Sequence, residues 1–300
     1  MTDIAKVGVV GAGLMGHGIA QVSAEAGYDV ILLDADGAAL ERGLDVVRGQ
    51  VAKAVEKGRR TQDDADAILG RLRGATTVGE LQDRDMVIEA IVENLEAKNG
   101  LWRELDAAVQ PSCVFATNTS SLPVIDQAAV TSRPDRFIGL HFFNPVQMMK
   151  LVEVVRTIAA SDDAVQTGIA YGERIGKMAV ETRDRAGFLV NRILVPFMLD
   201  AIRAFEEGVG TIEAIDAGFR LGAGHPMGPL TLNDFVGLET LARAGEGMYE
   251  EYRDPRFATP PLLRKMIAAG WYGKKTGLGF YDWSGDEPVP NPRIDLLRSV

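Results

Sequence analysis

One cysteine, three histidines and a formal charge of −10 remove several classes of function from this 300-residue chain before any motif is read. A lone thiol cannot form a disulfide within the chain, and Cys113 sits in the apolar run Cys113-Val114-Phe115-Ala116, where it reads as a buried structural residue. The acidic balance disfavours nucleic acid and acidic membrane surfaces as partners, so any polyanionic ligand must be met by a local cluster of donors. No uninterrupted apolar run approaches the roughly 18 residues of a membrane span. No basic-then-apolar leader precedes the first strand, and the expectation is a cytoplasmic protein. No metal site is expected. What remains is a chain with 46% hydrophobic and 25% charged residues, enough to bury a sizeable core.

The opening stretch carries the strongest signal. The apolar run Val7-Gly8-Val9-Val10 leads into Gly11-Ala12-Gly13-Leu14-Met15-Gly16, then a helical pattern, then Val30 to Leu33 and Asp34. A strand, G-x-G-x-x-G, a helix and an acidic residue about 20 positions on form the dinucleotide-binding fingerprint in its proper context. Gly11 permits the tight turn, Gly13 leaves room for a pyrophosphate, and Gly16 lets the helix lie close to the strand. The phosphates then meet free N–H groups at a helix N-terminus. Asp34, ending the second strand with no adjacent arginine, accepts hydrogen bonds from ribose hydroxyls and repels a 2′-phosphate, which argues for NAD over NADP.

Short β-rich runs alternate with helical ones up to about residue 185, the pattern of a parallel sheet covered on both faces. The strands are expected at 4–10, 28–34, 86–91, 113–117, 136–142, 149–155 and 178–182. The region 37–72 breaks the rhythm and reads as two long charged helices, 37–57 and 62–72, forming a projecting arm that contacts ligand. After Arg185-Ala186-Gly187 the segments 188–207, 211–220, 237–251 and 260–269 are helix-like. The first of them is apolar on most faces, which reads as a helix buried all round at a domain or subunit interface. The expected fold is therefore α/β: a Rossmann-type N-terminal domain over 1–185 with a projecting helical arm, an all-α C-terminal domain over 186–285, and a poorly ordered Pro-, Gly- and Asp-rich tail over 286–300.

With only three histidines the search for a general base is short. His17 begins the helix after the glycines and reads as packing or a helix-terminus group, and His225 lies in a proline-rich turn. His141 ends the run Phe137-Ile138-Gly139-Leu140, and a second apolar run, Leu151-Val152-Glu153-Val154-Val155, follows a turn. If the two runs pair as a hairpin folding near Gln147, His141 and Glu153 are equidistant from its centre and face each other, with Cβ atoms about 4.5–5.5 Å apart. A carboxylate flanked by Leu, Val, Val and Val needs a partner. Such a pair suits oxidation of a secondary alcohol, in which a neutral imidazole takes the hydroxyl proton while a carboxylate fixes its tautomer. Further donors to the reacting oxygen could come from Thr117-Asn118-Thr119-Ser120-Ser121 at the carboxyl edge of the sheet, although Ser120 or Ser121 could instead cap the helix that follows.

Gly11-Ala12-Gly13-Leu14-Met15-Gly16, Val87-Ile88-Glu89-Ala90-Ile91-Val92-Glu93-Asn94, Ala116-Thr117-Asn118-Thr119-Ser120-Ser121-Leu122, Gly139-Leu140-His141-Phe142-Phe143-Asn144-Pro145 and Gly187-Phe188-Leu189-Val190-Asn191-Arg192 together closely resemble the L-3-hydroxyacyl-CoA dehydrogenase family. His225-Pro226-Met227-Gly228-Pro229 and Gly273 to Tyr281 resemble it too. The match is in family order and spacing over nearly the whole chain. The resemblance implies NAD-dependent interconversion of (S)-3-hydroxyacyl-CoA and 3-oxoacyl-CoA, with short-chain 3-hydroxybutyryl-CoA and acetoacetyl-CoA as the expected pair. It makes His141 the acid/base, Glu153 its partner, and Ser120 and Asn191 the groups contacting the reacting oxygen and thioester. Asp34, Glu93, Lys98, Asn118 and Asn144 join Gly11, Gly13, Leu14, Met15 and Gly16 in the cofactor pocket. Lys275 is added from the second domain, with Lys274 as the alternative equivalent. Lys57 on the arm would meet coenzyme A phosphates, and Gln50 stands where the family has a serine. A homodimer through the helical domain is expected.

Two rivals share the fingerprint. The β-hydroxyacid dehydrogenases also join it to a helical domain but use a lysine base, and no lysine lies between Arg183 and Phe205. A non-catalytic dinucleotide-binding protein on this scaffold is the other. It has no reason to keep Ser120, His141, Glu153 and Asn191 together.

Overall fold

The computed structural model describes residues 3–294. They form two compact units, one running through Phe188 and the other beginning at Leu189.

The first unit is built on one eight-stranded sheet. Its strands are β1 (Lys6–Val10), β2 (Asp29–Leu33), β3 (Leu72–Ala75), β4 (Met86–Glu89), β5 (Val114–Thr117), β6 (Phe137–Phe142), β7 (Leu151–Arg156) and β8 (Met178–Arg183), in the order β3-β2-β1-β4-β5-β6-β7-β8. Neighbours from β3 to β6 run parallel, β6 and β7 are antiparallel, and β7 and β8 are again parallel. The inner strands bury both faces, as a sheet covered on two sides requires. Val9, Val114 and Val154 face one core, while their neighbours Val10, Phe115 and Val155 face the other. Cys113 lies in the second of these cores, fully buried, and burial pushes its thiol up to about 12.

The helices of this unit are α1 (Gly16–Glu25), α2 (Gly37–Glu56), α3 (Gln62–Gly70), α4 (Leu95–Ala108), α5 (Val124–Ala128) and α6 (Asp162–Arg174). The chain moves outward from β1 to β2 and β3, then returns to place β4 on the other side of β1. The carboxyl ends of β1 and β4 therefore flank the point where strand order reverses, the place where open α/β sheets bind ligands.

All seven expected strands are present. The segment read as helix over 62–72 is different: α3 stops at Gly70, and Leu72–Ala75 pairs with β2 as an edge strand. The stretch between β2 and β3 is thus a crossover made of two helices. Their apolar side is seated in the core through Leu40, Leu44, Val47, Val51, Ala65 and Ile68. Arg60 ties the turn to Glu25 at the end of α1, at 2.8 Å. A capping box starts α3, with the Asp64 N–H donating to Thr61 Oγ1 and the Thr61 N–H to Asp64 Oδ2.

The second unit is mostly helical, with α7 (Val190–Glu206), α8 (Ile212–Ala217) running into a π turn at Gly218–Gly222, α9 (Pro229–Val236), α10 (Leu238–Tyr252) and α11 (Pro261–Ala268). Within this chain α7 buries Val195, Met198, Leu199, Ile202 and Phe205 and leaves Leu189 at its N-cap 42% exposed and Ile193 67% exposed. The tail departs from expectation. Val289–Pro290 pairs with Tyr281–Asp282 as a two-stranded ribbon, Asn291 donates to the Gly279 carbonyl, and Ile294 is buried. A Pro-, Gly- and Asp-rich composition hid these docking contacts; residues 295–300 lie outside the described residues. Asp234 gathers this end of the unit, accepting from the N–H groups of Phe280 and Tyr281 and from Trp283 Nε1.

Candidate active site

The glycine-rich turn has the shape of a phosphate cradle. Gly11 has φ of +101°, and a Cβ there would lie 2.6 Å from the Ala90 carbonyl oxygen. A Cβ at Gly16 would sit 1.6 Å from the Gly11 carbonyl oxygen, whereas at Gly13 it would meet nothing within 4 Å. Gly11 and Gly16 are thus required by the fold, and Gly13 leaves open space for a ligand. No side chain caps α1, and no hydrogen bond among the described residues engages the N–H groups of Gly13, Leu14 and Met15. Leu14 is exposed and Met15 half-buried. His17 spends its Nδ1 on the Gly13 carbonyl at 2.7 Å, a structural role. Asp34 follows β2, its Oδ2 accepting from the Ala12 N–H and its Oδ1 from the Asp36 N–H. It therefore both shapes the turn and holds a half-exposed carboxylate beside it. These donors and this space fit a dinucleotide pyrophosphate.

Three strands from β1, the β6–β7 hairpin has the register that its symmetry about Gln147 predicts, with His141 opposite Glu153. His141 Nδ1 and Glu153 Oε2 are 2.5 Å apart, and Glu153 is fully buried. A carboxylate accepts, so Nδ1 donates and Nε2 is left as the basic nitrogen, with no partner among the described residues. The imidazole is flanked by the rings of Phe143 and Phe188, at centroid distances of 4.6 and 5.5 Å. Phe188 has φ of +46°, a backbone state that costs a non-glycine residue about 1–3 kcal/mol. The loop between the strands carries exposed Asn144 and is pinned from below. Lys177 Nζ donates to the carbonyls of Val146 and Met149, each at 2.6 Å, and Gln147 donates to Gln21 on α1.

Between these two regions lies a polar cluster. Glu93 accepts from Thr119 Oγ1, the N–H groups of Ser120 and Ser121, and Ser121 Oγ, and it pairs with Lys98 at 3.2 Å. Burial opposes ionisation of Glu93, but the Lys98 charge and the donors from Thr119 and Ser120 outweigh it and hold its carboxyl below the usual range. Ser120 is exposed, and its hydroxyl takes no hydrogen bond among the described residues. Asn118 Oδ1 accepts from the Phe142 N–H, joining the ends of β5 and β6. Neither serine caps the next helix: Asp184 takes the N–H groups of Val124 and Ile125 at the start of α5.

The remaining candidates are carried by other elements. Gln50 and Lys57 are about two helical turns apart, the second exposed at the C-terminal end of α2. In the second unit Asn191 is half-buried in the first turn of α7. Lys275 is paired with Glu239, while Lys274 lies over the rings of Phe235 and Trp283, at 4.3 and 5.2 Å. Sequence reading missed Glu89, which holds Lys98; Thr119, which organises Glu93; Lys177; and the covering role of Phe188. The available signal for Glu89 was an acidic residue ending the apolar run Met86-Val87-Ile88.

Comparison with known proteins then decides the family. Residues 6–185 match the NAD-binding domain of 3-hydroxyacyl-CoA dehydrogenase, and residues 187–283 match its C-terminal domain. The chain belongs to the 3-hydroxyacyl-CoA dehydrogenase family. It is an NAD-dependent oxidoreductase. Among relatives of this dehydrogenase family, a probable 3-hydroxybutyryl-CoA dehydrogenase of Bacillus subtilis is 46% identical over 281 residues, covering 94% of this chain and 98% of that protein. The mitochondrial hydroxyacyl-coenzyme A dehydrogenase of Sus scrofa is 40% identical over 287 residues, covering 93% and 91%. The crystal structure of (S)-3-hydroxybutyryl-CoA dehydrogenase from Ralstonia eutropha superposes with a TM-score of 0.92 at 41% identity, covering 94% of this chain and 100% of that one. No helix of this dehydrogenase among the described residues is long and apolar enough to cross a membrane.

Proposed function

We propose that this dehydrogenase interconverts (S)-3-hydroxyacyl-CoA and 3-oxoacyl-CoA, with 3-hydroxybutyryl-CoA and acetoacetyl-CoA as the short-chain pair. The observation that carries the mechanism is the buried His141–Glu153 contact, with His141 Nε2 unengaged. In oxidation Nε2 takes the proton of the substrate 3-hydroxyl, and Glu153 stabilises the resulting imidazolium. In reduction the imidazolium returns that proton to the 3-oxo oxygen. NAD supplies the hydride acceptor and, reduced, the hydride donor. Gly11, Gly13, Leu14, Met15 and Gly16 would cradle its phosphates, and Asp34 its adenosine ribose. Glu93, Lys98, Asn118, Asn144 and Lys275 complete the proposed pocket.

Ser120, with an uncommitted hydroxyl, is the proposed donor to the reacting oxygen, and Asn191 is proposed for the thioester. Lys57 and Gln50 are the proposed coenzyme A contacts, the lysine supplying the local positive charge that an acidic protein needs for an anionic ligand. The exposed Leu189 and Ile193 support a homodimer through the helical unit. Relatives named in bacteria support a cytoplasmic location.

Mixing the purified protein with NADH and acetoacetyl-CoA tests the reading, with NADPH and free acetoacetate in parallel. The expected result is rapid loss of NADH absorbance with the thioester alone. NADH binding without turnover would overturn the short-chain assignment.

A further inference from the structure

Among the described residues of the first unit, two carboxylates are fully buried, Glu89 and Glu153. The proton transfer uses only the second. Glu89 ends β4, in register with Val10 of β1 on one side and Thr117 of β5 on the other. It accepts from the Ile91 N–H at 2.7 Å, Thr117 Oγ1 at 2.7 Å and Lys98 Nζ at 2.5 Å. Every partner donates, the pattern of an ionised carboxylate. Lys98 is itself 1% exposed and reaches Glu93 as well. Two carboxylates thus share one ammonium, with Glu89 and Lys98 buried and Glu93 27% exposed. A structural ion pair needs one carboxylate, so the second leaves a negative charge uncompensated.

The position of this surplus charge gives it a use. A Cβ on Gly11 would touch the carbonyl of Ala90, so the residue after Glu89 adjoins the dinucleotide turn. Asp34 stands at the end of β2, on one side of β1, and is proposed for the adenosine ribose. A dinucleotide laid across the reversal point therefore directs its nicotinamide to the other side, over the ends of β4 and β5. The nicotinamide ring is cationic when oxidised and neutral when reduced. We infer that the Glu89, Lys98 and Glu93 cluster biases the pocket toward the oxidised cofactor, with Glu89 as the residue that sets the net charge.

The inference rests on NAD as the cofactor, and wild-type binding of both forms is measured first to check that premise. Dissociation constants for NADH, by fluorescence, and for NAD, by competition, are then compared in Glu89→Gln, Lys98→Met and the double variant. Formally these give the cluster charges of 0, −2 and −1, against −1 in the wild type. Glu89→Gln should lower the ratio of the NADH to the NAD constant about tenfold, as loss of one charge in a partly screened site requires. Lys98→Met should raise the ratio, and the double variant should return it toward the wild-type value. Loss of a hydrogen bond or of packing would weaken both forms alike and give no such reversal. An unchanged ratio across the series overturns the inference. If Glu89→Gln does not fold, the comparison of Lys98→Met with the double variant decides it, since the two differ only at residue 89 and so by one charge. A ratio equal in those two also overturns it.

Discussion

His141 and Glu153 meet across two antiparallel strands with Nδ1 and Oε2 at 2.5 Å, although only 12 residues separate them in the chain. The contact is made by register alone, so each side chain is delivered by a rigid strand rather than by a loop. This fixes which imidazole nitrogen is left to act. Glu153→Gln keeps the shape but removes the charge proposed to stabilise the imidazolium. Turnover should fall by roughly 100-fold or more while NADH affinity stays near the wild-type value. Near-normal turnover would remove the pair from the mechanism.

Asp34 accepts from the Ala12 N–H and is the group proposed to meet the ribose. Asp34→Ser should weaken NADH binding and at the same time relax discrimination against NADPH, measured as the ratio of kcat/KM for the two cofactors. Unchanged discrimination would show that another group reads the ribose.

The glycines of the turn separate fold from ligand. A Cβ at Gly16 collides with the Gly11 carbonyl, but one at Gly13 meets open space. Gly13→Ala should keep the wild-type Tm and lose NADH affinity, whereas Gly16→Ala should lower both. Equal losses of Tm would mean that Gly13 is needed by the protein itself.

Phe188 reverses a usual order. At an ordinary helix site alanine is the more stable residue, but with φ of +46° the Cβ is the strained element. Phe188→Gly should be more stable than Phe188→Ala by about 1 kcal/mol in urea unfolding. Both variants uncover the His141 ring and should lose turnover. If alanine proves as stable as glycine, the backbone at 188 is not strained.

The parts of this fold that could be read from the sequence are those where one short-range rule decides the outcome. Hairpin symmetry about Gln147 placed Glu153 against His141, and the strand-glycine-helix order located the turn at Gly11. Where partners come from distant segments, local pattern was silent. Leu72-Arg73-Gly74-Ala75 is short, contains glycine and follows a helix without a break, so only its pairing with β2 makes it a strand. Glu89 reads as the polar end of an apolar run until Lys98 and Thr117 are brought to it by α4 and β5. Helix 190–206 has an apolar composition on most faces, yet its neighbours leave Ile193 uncovered.

Cys113 makes the first unit its own reporter. The only thiol of the chain lies at the start of β5, fully buried, with burial pushing its pKa up to about 12, and the helical unit has none. A thiol reagent at neutral pH therefore has nothing to label until the sheet opens. Its rate of incorporation is a clock on that opening.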